Sequence, residues 1–308
     1  MLKAYSYIEN DSLDQNIIDE PIYMAERKII SRFTAENPNQ KNNTPCIFCN
    51  GETGRFDIIE GVYYQRCKTC YSIFAEVPDD VINRCKDFQP LIDFRNSNDY
   101  QNSASEKRDF IWNDFLFWLE YRLVRYIQKK SPLDIIDVRN HYMVFAEKIK
   151  KASFCGSYNS AETADVVLFL DQFRCLSSPM KTLSELRRML KENGILIMNV
   201  RVGSGFDVLA LKGHLYSIYP YETILLPSTD GLCNILDIAG FEIMEISTPG
   251  TLDIKHVLIN KEKLDESDMF IHYLLYKSDN SILTEFQRFL QKSGMSSHAR
   301  VIARKRPC

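Results

Sequence analysis

From residue 133 onward the chain alternates short apolar runs with amphipathic stretches. That alternation restricts the fold more than any other feature of its 308 residues. DIIDV (134–138), DVVLFL (165–170) and ILIMNV (195–200) have the pattern of strands buried on both faces. MKTLSELRRMLKEN (180–193) reads as an amphipathic helix closed by Gly194 just past its end, and STDGLCNILDIAG (228–240) as a second helix ending in glycine. FEIMEIS (241–247) is the next strand, SILTEFQRFLQKSG (281–294) a helix, and ARVIARK (299–305) a final strand. Strands that alternate with helices predict an α/β domain with a largely parallel sheet. No internal repeat interrupts the pattern.

The first half is organised differently. A helix is predicted around 21–33, where Ile22, Met24, Ala25, Ile29 and Ile30 recur at helical spacing, followed by the linker ENPNQKNNTP (36–45). CIFC (46–49) and CKTC (67–70) then enclose seventeen residues. Zinc requires four soft ligands in a tetrahedron, and two facing C-x₂-C knuckles supply them through Cys46, Cys49, Cys67 and Cys70. Four thiolates leave no open coordination position, so the expected zinc is structural. Ser103 and Glu106 have capping-box spacing before a stripe of Phe110, Trp112, Phe115, Leu119, Leu123 and Ile127, and Pro132 stops that helix. The expected division is a helical arm and linker (1–44), a zinc ribbon (45–80), a helical connector (81–130) and an α/β domain (131–308).

With 38 basic against 41 acidic side chains, the chain has no global attraction to nucleic acid. Arg300, Arg304, Lys305 and Arg306 read as a solvated strand end. No apolar run approaches the ~18 residues of a membrane span, and the opening MLKAYSYIENDSLDQ lacks signal-peptide layout. Nine mostly scattered cysteines fit a reducing cytoplasm, and Cys85, Cys155, Cys175, Cys233 and Cys308 are read as packing residues.

The ribbon, ADVVLFLDQFRCLSSPMKTLSELRRMLKENGILIMNV (164–200), YETILLPSTDGLCNILDIAGFEIMEISTPGTLDI (221–254) and SSHARVIARK (296–305) together resemble class I S-adenosylmethionine-dependent methyltransferases with an N-terminal zinc ribbon, sugar C-methyltransferases among them. The resemblance covers about residues 45–305. It implies a Rossmann-like methyltransferase fold: a twisted sheet with helices on both faces, closed by an antiparallel strand. It also implies a cofactor corner after the first strand, but the residues there depart from the family. Asp137 and Val138 fit, whereas Arg139, His141 and Met143 stand where the family has three glycines. Glycine is needed there because a Cβ would collide with the cofactor. ASFCGSYNS (152–160) holds no acid for ribose hydroxyls, and only 28 residues separate Asp137 from Asp165, too few for the family's two further strands. Arg174 and Cys175 replace the family's Glu-His pair. The sheet is therefore expected to be truncated on its strand-two side, and the sequence argues against a retained S-adenosylmethionine site.

The remaining candidates at that corner are Asp137, Arg139, His141 and Asp171. Arg139 and His141 at a helix start would suit an anion, or simply cap the helix. His214, Tyr216 and Glu222, in the aromatic stretch GHLYSIYPYET (213–223), are candidate acid/base groups or a stacking surface for a sugar-type molecule, or plain packing. RVGSGF (201–206) reads as a flexible loop over the sheet edge. His141, His214, His256, His272 and His298 show no metal spacing. Three functions stay open: a non-catalytic binding protein, working as a homodimer or with an active methyltransferase partner; an active methyltransferase on a sugar or other small polar acceptor; or a different enzyme with an anion site at Arg139 and His141.

Overall fold

The computed structural model describes residues 20–39, 44–127, 132–138, 147, 149–152 and 155–307, with backbone alone for residue 20 and residues 104–114. In chain order the helices are α1 (Glu20–Glu36), α2 (Asp79–Lys86), α3 (Gln89–Arg95), α4 (Asn98–Tyr126), α5 (Pro179–Met189), α6 (Phe206–Leu211), α7 (Thr229–Ile238), α8 (Asp253–Ile259), α9 (Met269–Lys277) and α10 (Asn280–Lys292). The strands are β1 (Thr53–Ile59), β2 (Val62–Cys67), β3 (Ile73–Phe74), β4 (Leu133–Asp137), β5 (Cys155–Tyr158), β6 (Ala164–Leu170), β7 (Leu190–Arg201), β8 (Leu225–Leu226), β9 (Phe241–Ser247) and β10 (His298–Lys305).

Six strands form the main sheet in the order β5-β4-β6-β7-β10-β9. β5, β4, β6 and β7 run parallel, and β10 is antiparallel to both its neighbours. This is the Rossmann-like methyltransferase arrangement, with one short strand, β5, beyond β4 among the described residues. The apolar runs read from the sequence are buried as expected: Val166–Leu168, Ile195–Met198 and Val301–Ala303 are sealed from solvent. Continuous apolarity follows from helices covering both faces, which leaves no wet side to alternate with. One face carries Phe115, Trp118, Leu119 and Leu123 of α4.

The ribbon is joined to this domain. Its sheet runs β1-β2-β3-β8, so a strand from the α/β half completes it, with Ile73 opposite Leu226 and Phe74 opposite Leu225. One apolar core runs through Phe48, Cys67 and Phe74 on the ribbon side and Phe173, Leu196 and Leu232 on the other. Ser228 caps α7 by accepting from Gly231 N, and its own N–H donates to Ser72 Oγ of the ribbon at 2.9 Å. Gly231 is required at this junction: a Cβ there would lie 2.1 Å from Ser72 Oγ.

Several local expectations change. α4 begins at Asn98 with Ser97 as its cap, before the Ser103/Glu106 box, and ends at Tyr126. α5 stops at Met189, because Leu190 is drawn into the sheet opposite Ala164. The left-handed turn falls on Asn193 (φ 61°), while Gly194 sits where a Cβ would meet Lys191 O at 2.9 Å. Gly240 and Gly294 do take the left-handed conformation expected after their helices. The segment 201–206 is mostly buried, with Gly203 N bonded to Pro227 O and Phe206 N to Met295 O, so it is a packed junction and not a flexible loop. Arg300 is buried, its guanidinium over the rings of Phe115 and Trp118 at 5.5 and 5.4 Å, which corrects the solvated reading of that residue. No helix among the described residues is long and apolar enough to cross a membrane.

Candidate functional site

The four cysteines of the ribbon converge. Their sulfurs all lie within 4.8 Å of one another, with Cys46–Cys70 at 3.6 Å and Cys49–Cys67 at 3.5 Å. A tetrahedral zinc with bonds of about 2.3 Å would hold its sulfurs about 3.8 Å apart, so the donor set and its spacing fit that ion. Backbone N–H groups of Phe48, Thr69 and Cys70 point at the sulfurs of Cys46 and Cys67 from 3.3–3.4 Å, as a negatively charged thiolate cluster requires. In a metal-free cluster the Cys46 and Cys70 sulfurs share one proton, and their mutual hydrogen bond draws Cys70 below its ordinary value while pushing Cys46 up. Phe48, between the two cysteines of the first knuckle, packs against Phe74 and Phe173 at 6.4 and 6.3 Å between ring centres. The knuckle thereby braces the turn after β6.

That turn forms part of a cleft of about 590 Å³, within the range of small-molecule sites. The cleft lies at the C-terminal ends of β4 and β6. The chain leaves β4 toward β5 on one side and returns to β6 on the other, so this is the switch point where open α/β sheets bind ligands. Asp137, Leu170, Asp171, Gln172, Arg174 and Cys175 come from the strand ends; Lys86, Arg95 and Tyr100 from the helical segment; and Glu222 from the loop before β8.

Arg95 organises the outer wall. Its fork grips Glu222 through two 2.8 Å bonds, and it reaches Glu26 of α1 at 2.7 Å. Burial opposes charge on Glu222, but the Arg95 fork outweighs it and the carboxyl lies below its ordinary range. Burial likewise opposes charge on Arg174, yet Glu222 and Asp171 more than restore it. Asp171 takes a left-handed φ of 55° and stands 3.8 Å from His298 Nε2. On the strand-two side Tyr158 donates its hydroxyl to Asp137 Oδ2 at 2.9 Å, and Asn159 Oδ1 accepts from Asp137 N at 2.7 Å. Burial and the Asp137 charge push the Tyr158 phenol upward, so it remains a donor.

No family profile and no curated protein matches the sequence. Among solved structures the chain resembles methyltransferase folds. One is the complex of the Haloferax volcanii Trm112 methyltransferase activator with its putative methyltransferase, at 12% identity and a TM-score of 0.42 over 66% of this chain and 96% of that one. Another is Haemonchus contortus phosphoethanolamine N-methyltransferase 2 in complex with S-adenosyl-L-methionine, at 17% identity and 0.39 over 70% and 60%. A third is the [4+2]-cyclase SpnF, at 14% identity and 0.37 over 62% and 80%. At these scores the likeness says nothing about activity; strand order and connections carry the fold by themselves.

Of the residues singled out from the sequence, Asp137, Asp171 and Glu222 meet in the cleft. Arg139 and His141 lie outside the described residues. Tyr216 is buried, stacked on Tyr23 at 5.4 Å and edge-on to His256 at 5.6 Å, and His214 is exposed; neither lines the cleft. Lys86, Arg95, Tyr100 and Gln172 carried no signal in the sequence. Arg174 and Cys175 did, as a departure from the family's Glu-His pair, but not as cleft residues.

Proposed function

We propose that this chain is a methyltransferase-fold protein with a structural zinc that has lost its S-adenosylmethionine site and works by binding, without transferring a methyl group. The observation that carries the reading is the end of β5. Where a methyl donor's ribose would need an acid, the chain presents Tyr158 and Asn159, both bonded back to Asp137. Asp137 is thus committed to a phenol, and the adjoining strand supplies no carboxylate of its own. Glu162, the nearest acid in sequence, is exposed in the following loop. The brevity of the sheet beyond β4 among the described residues adds to this, because the four-residue β5 offers little surface for an adenine ring.

A binding role has room for a macromolecular partner as well as a ligand. α9 buries none of its residues and exposes Met269, Phe270, Tyr273 and Tyr276. An active methyltransferase or a second copy of the chain is the partner this reading favours.

Calorimetric titration of the zinc-loaded protein with S-adenosylmethionine and S-adenosylhomocysteine tests the proposal. Neither should release heat or raise the melting temperature at millimolar concentration. Micromolar affinity for either would overturn the reading and restore an active enzyme on a sugar or other small polar acceptor.

A further inference from the structure

α4 is apolar on two opposite faces. Phe115, Trp118, Leu119 and Leu123 are sealed against the sheet, whereas Phe117, Tyr121 and Val124 are 72, 62 and 82% exposed. The exposed three recur four and three residues apart, so they line up in one stripe on the side of the helix turned away from the core. A surface helix normally carries polar residues there, and a helix apolar all round is one whose faces are both covered. Tyr121 is also held in place. Its ring lies 5.1 Å from the guanidinium of the buried Arg122, which bonds Glu245 at 2.8 Å. Glu120 borders the stripe on one flank and Arg125 on the other, both exposed and both without an ion-pair partner among the described residues.

We infer that α4 is a self-association surface: two copies of the chain pair their α4 helices in parallel, with Phe117, Tyr121 and Val124 of each interlocking. The pattern of side chains selects a second copy as the occupant. Spacing of four then three is the apolar seam of a two-stranded coiled coil, in which charged residues on the two flanks, five apart, meet across the interface. Glu120 and Arg125 have that spacing and opposite charge. A two-fold axis along the paired helices sets Glu120 of each copy beside Arg125 of the other, so the contact is made twice. Antiparallel pairing would set each flank beside its own copy and bring like charges together. The exposed stripe of α9 is bordered by His272 and Lys277 and lacks this complementarity. The area also suits a pair of chains. With about 150–250 Å² for a whole aromatic side chain, the three exposed portions present roughly 400 Å². At the roughly 60% apolar share of an interface, that corresponds to about 650–700 Å² per partner, toward the lower end of stable pairs and fitting a reversible dimer. The pairing names the partner that the proposed binding role leaves open, and it rests on that role and not on the fate of the methyl donor.

Sedimentation equilibrium of the zinc-loaded full chain, from low to high micromolar concentration, tests the pairing. The wild type should show a monomer–dimer equilibrium. Val124→Glu, which brings two like charges into the seam, should weaken it roughly 100-fold or more. Glu120→Arg and Arg125→Glu should each weaken it roughly 10-fold by setting like charges across the interface, and the double exchange should restore it to within a few-fold of the wild type. All three positions are exposed, so the variants keep the core intact, and an unchanged melting temperature checks this. Tyr276→Ser on α9 should leave the equilibrium as it is. A chain that stays monomeric throughout would overturn the inference. So would a Val124→Glu variant that dimerises like the wild type, a double exchange as weak as either single one, or a dimer dissolved by Tyr276→Ser alone. None of these outcomes touches the lost methyl-donor site, which fails only if S-adenosylmethionine or S-adenosylhomocysteine binds.

Discussion

Replacing Arg95 by methionine removes the cation that bonds both Glu26 of α1 and Glu222 in the loop before β8. Glu26 is 1% exposed and Glu222 14%, while the Arg95 side chain is itself 30% exposed. Breaking a buried ion pair by removing one partner costs about 3–5 kcal/mol, because the other charge is left behind. A stranded carboxylate can instead take up a proton, which caps its cost near pH 7 at about 3.7 kcal/mol for a carboxyl with an ordinary value near 4.3. Glu222 keeps Arg174 nearby and Glu26 keeps the Tyr100 and Tyr219 hydroxyls beside it, so each loses less than that. Partial exposure of Arg95 trims both losses through solvent screening. The expected loss is therefore about 3–5 kcal/mol for the pair, at the lower end if Arg174 compensates well. With roughly 2 °C per kcal/mol for a chain of this size, melting should fall by about 6–10 °C.

The pH dependence follows from the sign of the shift. In the wild type the Glu222 carboxyl lies below its ordinary value, so its contribution is complete above that ordinary value and is lost as pH falls through the lower folded one. In the variant the stranded carboxyls bind protons more readily than in the unfolded chain, so the deficit should shrink between pH 7.5 and pH 5. Thermal unfolding of both proteins at those two pH values measures it. A deficit under about 1 kcal/mol, or one of equal size at both pH values, would refute the assignment of Arg95 as the organising cation, since a stranded carboxylate must show both signatures.

Two further outcomes are expected. Metal analysis of the purified chain should return one equivalent of zinc; Cys67→Ser should lose it, and, because Phe48 rests on Phe173, should also loosen the turn carrying Gln172 and Arg174, seen as faster amide exchange there. Gly231→Ala should cost about 1–3 kcal/mol by forcing α7 from Ser72, and should speed zinc release to a chelator without changing any metal ligand.

The sheet was legible in the chain because its strands are buried on both faces and carry their apolarity without interruption. DVVLFL and ILIMNV can be placed from seven or fewer residues each. The four-cysteine cluster was equally local, since two C-x₂-C knuckles meet across a short ribbon. Element ends were less legible. Leu190 leaves its helix because Ala164 is available to pair with it, and no window around residue 190 contains Ala164.

The amino-acid order alone determined the α/β class, the four converging cysteines and the absence of glycine at the first strand-to-helix junction, because each depends on neighbours within a few tens of residues. Only the tertiary structure decided that β8 completes the ribbon, that Arg300 is buried beneath α4 and that Tyr158 occupies Asp137. It also brought Lys86 and Arg95 across to Gln172 and Arg174. Those contacts join residues far apart in the chain, and packing against the common core selects them, which local propensity cannot express.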